Sequence, residues 1–371
     1  MDWRIQVRRP TLVIRPDRVK KNIEAMRRKA DDSGVLFRPH FKTHQSAFVG
    51  EWFETCGLRS ITVSSVRMAL YFASHGWKDI TIAFPVNIRE IDDINDLAER
   101  TRLNLLLLSE ETAEQLSAKL TYKVGVWIKI DVGYGRTGIP VENDKRVLSL
   151  VKKIGMMPRL EFRGLLTHAG QTYHMLDRDE RAELFARIVR DLNLLRDKIQ
   201  ADGNSRCLLS VGDTPGTTAA VDFKGVDEVR PGNFVYFDAQ QLHLGSCDEE
   251  QIAAAVACPV VAVHPDRGEI VFYGGAVHIS AQAESHPGHP GVKMYGYVTE
   301  CTEDGWGNID PDTYVRSVSQ EHGVARASGE FIKNISPGDL VCIIPVHSCL
   351  AVDLLDTAVT TDSQLFALDF T

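Results

Sequence analysis

The feature that most constrains this chain is an alternation of short apolar runs with amphipathic stretches, sustained from about residue 16 to residue 245. Pro16-Asp17 opens the first helical stretch, with Val19, Ile23, Met26 and Ala30 at helical spacing and Gly34 after them. Apolar runs bounded by turn or cap residues then fall at 35–37, 61–63, 80–84, 103–108, 124–130, 160–167, 207–211 and 227–229. Amphipathic stretches such as 88–100 and 178–199 read as the intervening helices. Several runs are apolar on both faces, as parallel strands covered on both sides must be. This rhythm predicts an α/β chain folded as a (β/α)8 TIM-like barrel. An open doubly wound sheet is the alternative, and the strand count argues against it.

After about residue 250 the texture changes. Runs at 256–263, 269–272, 293–298 and 340–344 read as strands, Gly and Pro clusters separate them, and long helical patterns are absent. The expected organisation is a barrel over residues 16–245 and a mostly β domain over 246–371. The first strand, Thr11 to Ile14, fits either unit, and residues 1–15 are expected to pack with the second.

Composition narrows the partners. Lys and Arg number 42 and Asp and Glu 50, a net charge of −8, which argues against nucleic acid and anionic membrane surfaces. No apolar run reaches membrane-spanning length, and Met1-Asp2-Trp3-Arg4 begins no secretory leader. The seven cysteines are widely spaced with no C-x-x-C, which suits a reducing compartment. The expected location is the cytoplasm.

The unusual polar residues sit just after the strands. They fall in Arg38-Pro39-His40-Phe41-Lys42-Thr43-His44, in 131–138, in 168–173, in Gly212-Asp213-Thr214-Pro215-Gly216 and in Arg230-Pro231-Gly232-Asn233. Barrel active sites assemble at the C-terminal ends of strands, so one site could collect all five segments. The Gly-rich segments after strands seven and eight suit a phosphate, although 212–216 reads equally as a tight turn. Lys42 reads either as a surface lysine or as an amine poised for imine chemistry, and spacing alone does not choose. His347 and Cys349 are two apart, and on an extended segment they would share a face and could meet one ion. A buried structural His beside an inert Cys is the other reading.

At Pro39-His40-Phe41-Lys42-Thr43-His44 the sequence resembles the D-threonine aldolase and D-serine dehydratase family of fold type III pyridoxal-phosphate enzymes, which join an alanine-racemase-like barrel to a C-terminal β domain. Asp131-x-Gly-x-x-Arg136-x-Gly138, His168-Ala-Gly-Gln-Thr-Tyr173, Gly212-x-Thr214-Pro215, Arg230-Pro231-Gly232-Asn233 and Pro345-Val346-His347-Ser348-Cys349 extend the likeness over nearly the whole chain. Gln171 and Leu166 depart from it, where many relatives carry His and an aromatic residue. The resemblance implies that Lys42 forms a Schiff base with pyridoxal 5'-phosphate. It places Arg136 beside the phenolic oxygen, Tyr173 against the ring or phosphate, and Thr214, Gly232 and Asn233 around the phosphate, with His40, His168 and Gly212 in the same cofactor-binding set. It implies a divalent metal, Zn²⁺ or else Mn²⁺ or Mg²⁺, on His347 and Cys349. His322 is a supporting position at most, and His243, His264, His278, His286 and His289 read as surface or structural.

The implied activity is a metal-assisted lyase acting on β-hydroxy D-amino acids, D-serine dehydratase-like in its β-elimination to a keto acid and ammonia. Retro-aldol cleavage, as in D-threonine aldolase, is the alternative. D-threo-3-hydroxyaspartate dehydratase, an amino-acid racemase and a non-catalytic pyridoxal-phosphate carrier stand behind it. A homodimer is expected by analogy.

Overall fold

The computed structural model describes residues 2–203 and 206–368. The first helix, Pro16–Asp32, starts on a proline whose missing N–H costs nothing there, and it buries Val19, Ile23, Met26 and Ala30 on one face. Ser46, Ser65, Ser109, Asn143 and Asp177 each accept a backbone N–H at the start of a later helix, fixing where the strand-to-helix turns end. The stretch at 88–100 divides into a 3-10 turn, Ile88–Glu90, and a helix, Ile91–Arg100.

Eight parallel strands form the barrel wall in chain order: Leu36–Phe37, Ser60–Val63, Asp79–Pro85, Arg102–Leu107, Val124–Asp131, Leu160–Thr167, Leu208–Val211 and Glu228–Val229. The eighth pairs with the first through Glu228↔Leu36 and Val229↔Phe37. The first meets the second only beyond its own end, where His40 bridges Thr62. There Phe41 N–H donates to Thr62 O at 2.8 Å and Thr62 N–H to Pro39 O at 2.9 Å. The barrel is therefore closed by the residues just before Lys42.

Strand alternation sorts the side chains. In Val124–Asp131, Val126, Ile128 and Ile130 are buried in the main core, whereas Trp127 packs with Leu106 and Leu166 in a separate small cluster inside the barrel. Below that cluster the interior is polar. Arg38 pairs with Glu228 at 2.6 Å and with Asp79 at 2.7 Å. Glu228 accepts from Ser210 Oγ at 2.6 Å, and Ser210 Oγ accepts from Arg230 Nε at 2.6 Å. This chain of contacts links the first, third, seventh and eighth strands. Gly125 is the small residue it needs, because a Cβ there would meet Asn104 Oδ1 at 2.2 Å.

The second unit is an antiparallel β structure. Ala254–His264, Glu269–Tyr273, His322–Arg326, Tyr314–Val318, Gly296–Thr302 and Leu340–Pro345 pair in that order and close back on Ala254–His264. Thr11–Ile14 belongs here: it pairs antiparallel with Ala254–His264 and parallel with Thr357–Thr360. The run at 293–298 is not one strand. Lys293–Met294 pairs with Glu284–Ser285, and the large sheet resumes at Gly296, whose φ of 157° and close approach to Ile344 O tolerate only glycine.

The two units are tied together beside the barrel mouth. Gln240 N–H donates to Val346 O at 3.2 Å, and Ser348 N–H donates to Asp238 at 2.9 Å. The strand Leu340–Pro345 therefore delivers His347 to the end of the barrel that holds Lys42.

Glu228 is 3% exposed and faces two guanidinium groups. Removing one partner of a buried charge cluster costs about 3–5 kcal/mol. Glu228→Gln is expected to lower unfolding stability by that amount, read from the urea midpoint at unchanged slope.

Candidate active site

The turn after the first strand is pinned by its neighbours, which leaves Lys42 free. Phe41 packs against Phe53, Phe72 and Trp77 with each pair of ring centroids 4.9 Å apart, and against His44 at 4.3 Å. Burial pushes the His44 imidazole down to about 3, so it stays neutral inside this aromatic cluster. Gln45, buried and at φ 52°, closes the turn in the left-handed region. Lys42, between the two buried rings, projects into a cavity of about 430 Å³.

Every site position named from the sequence lines that cavity: His40, Lys42, Arg136, His168, Tyr173, Gly212, Thr214, Gly232, Asn233, His347 and Cys349. The two glycines are there because chains meet. A Cβ on Gly212 would lie 2.7–2.9 Å from the Arg230 backbone, and one on Gly232 would lie 2.9 Å from His40 Cβ and O. Beside them the hydroxyl of Thr214 and the amide oxygen of Asn233 are buried without a hydrogen-bond partner. Buried polar groups are normally satisfied, so these two orphans mark where a polar ligand group belongs.

The protonation states are set by the surroundings. His168 Nδ1 lies 2.9 Å from Gly212 O, which can only accept, so the proton sits on Nδ1 and Nε2 is free to accept. Burial is the main reason the His168 imidazole is pushed down to about 3. The same effect, with the charges of Lys42 and Arg230, holds His40 well below the usual range. Burial and then Asp213 push the Tyr173 phenol up, keeping it protonated. Asp213, capping the helix Thr214–Ala219 through Gly216 N–H, is pushed up to about 6 by burial against the pull of its hydrogen bonds.

Residues the sequence reading did not assign complete the site. Lys129 interrupts an otherwise apolar strand and lines the cavity, and burial, then Arg230 and Arg136, lowers its amine to about 7. That single polar residue in the run 124–130 was the available signal. Arg230, within the quoted Arg230-Pro231-Gly232-Asn233 segment, is buried by its bonds to Ser210 and Thr167 O and borders the cavity. Lys42, Lys129, Arg136 and Arg230 face one space in which Asp213 is the only lining carboxyl among the described residues. Such a cavity attracts a phosphate or a carboxylate.

His347 and Cys349 converge, but not as mates on one strand face. His347 is extended, at φ −135° and ψ 106°, and caps the helix Ser348–Asp353, so Cys349 lies in that helix's first turn. The strand-to-helix corner, and not strand alternation, aims both at the cavity. Cys349 Sγ lies 3.1 Å from Thr43 Oγ1, next to Lys42. His347 Nδ1 lies 3.4 Å from Asp238, which is fully buried and also holds Asn233 Nδ2 at 2.6 Å and Ser348 N–H at 2.9 Å. No sequence signal singled out Asp238. Burial alone would lower the His347 imidazole, yet Cys349 and Asp238 raise it to about 10. Burial alone would raise the Cys349 thiol, yet His347 first, and Lys42 after it, bring it down to about 7. Each of the two groups thus favours the charged form of the other, and the imidazole has to give up a proton before it can ligate an ion. Among the described residues, no group of three or more His, Cys, Asp and Glu side chains is placed to hold a metal ion.

Comparison with known proteins gives a consistent set of relatives. Residues 14–240 match the alanine racemase N-terminal domain, and residues 253–361 match a putative serine dehydratase domain. D-threo-3-hydroxyaspartate dehydratase of Delftia sp. (strain HT23) is 30% identical over 354 residues, covering 92% of this chain and 90% of the relative. Its solved structure superposes with a TM-score of 0.90 at 26% identity, over 99% of this chain and 98% of that one. A cysteine-to-alanine variant of that dehydratase, solved in a metal-free form, gives 0.89 at 26% identity, over 99% and 98%. D-serine dehydratase of Dictyostelium discoideum is 25% identical, over 96% of this chain and 94% of its own length.

Since His347 is the largest influence bringing the Cys349 thiol down to about 7, alkylation of Cys349 by iodoacetamide in metal-free protein is expected to rise through about pH 7. His347→Asn is expected to move that rise upward, into or above the usual thiol range. Peptide mass analysis across pH reads both profiles.

Proposed function

The chain belongs to the alanine racemase N-terminal domain family, extended by a serine dehydratase domain, and from that premise we propose that it is a pyridoxal-phosphate lyase acting on β-hydroxy D-amino acids by D-serine dehydratase-like β-elimination. The observation that carries this reading is that Lys42 and the His347–Cys349 pair share one cavity. A racemase needs no such donor pair beside its lysine.

The residues present fit the cofactor. Lys42 supplies the amine that holds its aldehyde carbon, and the orphaned Thr214 hydroxyl and Asn233 amide, with Gly212 and Gly232, suit its phosphate. Tyr173, His168, His40 and Arg136 line the same cavity and would contact the cofactor's ring and its phenolic oxygen. When bound, pyridoxal phosphate is the electron sink for charge developing at the substrate's Cα.

The donor set also fits a divalent ion, with zinc the best match to imidazole plus thiolate and Mn²⁺ or Mg²⁺ the others considered. Two protein ligands leave room for a substrate oxygen, and the metal-free cysteine variant of the Delftia relative supports this reading. Such an ion would supply Lewis acidity at the β-hydroxyl. Asp238 lies 3.4 Å from His347 Nδ1, a charge contact on that nitrogen that would leave Nε2 as the donor.

The remaining work falls to this chain's own groups. Lys42 would be the base for the Cα proton. Arg136, joined by the protonated fraction of Lys129, is placed to orient the substrate carboxylate. Loss of the Cα proton and the β-hydroxyl, followed by hydrolysis, yields a keto acid and ammonia. We place the enzyme as a homodimer, because Phe84 lines the cavity mouth while 59% exposed and a second copy would cover it. Its seven thiols are unpaired, which suits the cytoplasm, and no helix among the described residues is long and apolar enough to cross a membrane.

D-Serine, D-threonine and D-threo-3-hydroxyaspartate are the substrates to screen, with keto acid, ammonia, glycine and aldehyde all measured. Keto acid with equimolar ammonia is expected, lost on EDTA treatment and restored by zinc. Glycine with an aldehyde would assign the retro-aldol reaction instead, and turnover indifferent to EDTA would remove the metal from the scheme.

A further inference from the structure

The C-terminal unit carries a second pair of reactive groups. Cys301 lies near the end of the strand Gly296–Thr302, and Cys342 lies within Leu340–Pro345. These strands are antiparallel neighbours with Thr299 opposite Cys342. Cys301, two residues past Thr299, therefore points to the same face as Cys342. Their sulfurs are 2.7 Å apart. A disulfide bond is about 2.05 Å long, so bonding asks for only about 0.7 Å of approach from that 2.7 Å. Among the described residues, no other two cysteines make such a contact.

The two thiols are unequal in access. Cys301 is half-exposed and borders a surface groove with Arg4, Glu300, Phe331 and Asp339. Cys342 is fully buried behind it and reaches Gly305 O at 3.7 Å. An outer thiol that meets the oxidant and an inner one that resolves it is the arrangement of a reversible redox pair.

We propose that Cys301 and Cys342 are a modification site: a dithiol that a hydroperoxide, such as hydrogen peroxide, converts to a disulfide. The Cys301 thiolate attacks a peroxide oxygen, the O–O bond breaks, and the departing hydroxide takes a proton to leave as water. Cys301 is then a sulfenic acid. The Cys342 sulfur displaces its hydroxyl, the S–O bond breaks as the S–S bond forms, and the thiol proton leaves with that oxygen as a second water. Two thiols lose two electrons and two protons, and one peroxide becomes two waters. The bridge closes a segment 41 residues apart in sequence and ties together the strands on either side of it. Cross-linking such a loop restrains the unfolded chain and stabilises the fold.

The test uses the purified holoenzyme, reduced, freed of reductant and treated with hydrogen peroxide while folded. The thiol count in denaturant is expected to fall from seven to five, and the melting midpoint to rise until reductant is added. Trypsin leaves Cys342 and Cys349 on one peptide, because no Lys or Arg follows Lys333. Fragment ions of the unreduced peptide pair therefore have to identify the linked sulfur, and Cys301 bonded to Cys342 is the expected result. Cys342→Ser should leave Cys301 as a sulfenic acid captured by dimedone, and Cys301→Ser should abolish the link. A bridge to Cys349, loss of thiols elsewhere, or both thiols surviving peroxide would overturn the proposal.

Discussion

A run of buried polar contacts through the barrel interior is the constraint on which the rest of the molecule depends. It passes from Asp79 to Arg38, from Arg38 to Glu228, through Ser210, and ends on Arg230. Parallel barrels usually fill this space with branched apolar side chains. Charge here brings little net stability, because desolvation offsets most of the attraction. What it enforces is register. The first and eighth strands pair over only two residues each, and the first and second touch through one bridge. A slip of one residue would bury Arg38 or Glu228 without its partner, so the closure has one acceptable alignment.

That alignment sets the chemistry above it. Arg230 reaches the cavity with its guanidinium already engaged by Ser210 and Thr167 O. Gly212 and Gly232 let the seventh and eighth strand ends come close to Arg230 and His40. The bridge at His40 and Thr62 both closes the wall and fixes the turn from which Lys42 projects. From the other unit, Asp238 clamps Asn233 on the barrel side and Ser348 on the β side. Asn233, with its orphaned amide oxygen, and the His347–Ser348 corner are thus set around one carboxylate, so the barrel side and the β side of the cavity are mechanically one piece.

Much of this was legible in the sequence. Parallel strands buried on both faces must be apolar throughout, and runs such as 124–130 announced them. Strands with one solvated face and charged residues inside them, such as Tyr314–Val318 and His322–Arg326, carried too little apolar signal and were missed. The residues that line the cavity were legible because most follow a strand end, where the fold gathers polar groups. Asp238 escaped because its role is made by tertiary contacts from chain far away in sequence. The His347–Cys349 pair was found through the wrong geometry: spacing of two suggested a strand, and the chain instead turns into a helix after His347.

We propose that Lys42, and no other amine of the cavity, holds the cofactor. The cavity contains a second lysine, Lys129, whose buried amine, lowered to about 7, is in part neutral at neutral pH and so also able to attack a carbonyl. Reducing the holoenzyme with sodium borohydride fixes the cofactor to whichever amine holds it, and peptide mass analysis then locates it. The account predicts a single phosphopyridoxyl group on Lys42 and an unmodified Lys129. The label on Lys129, or on neither lysine, would contradict it.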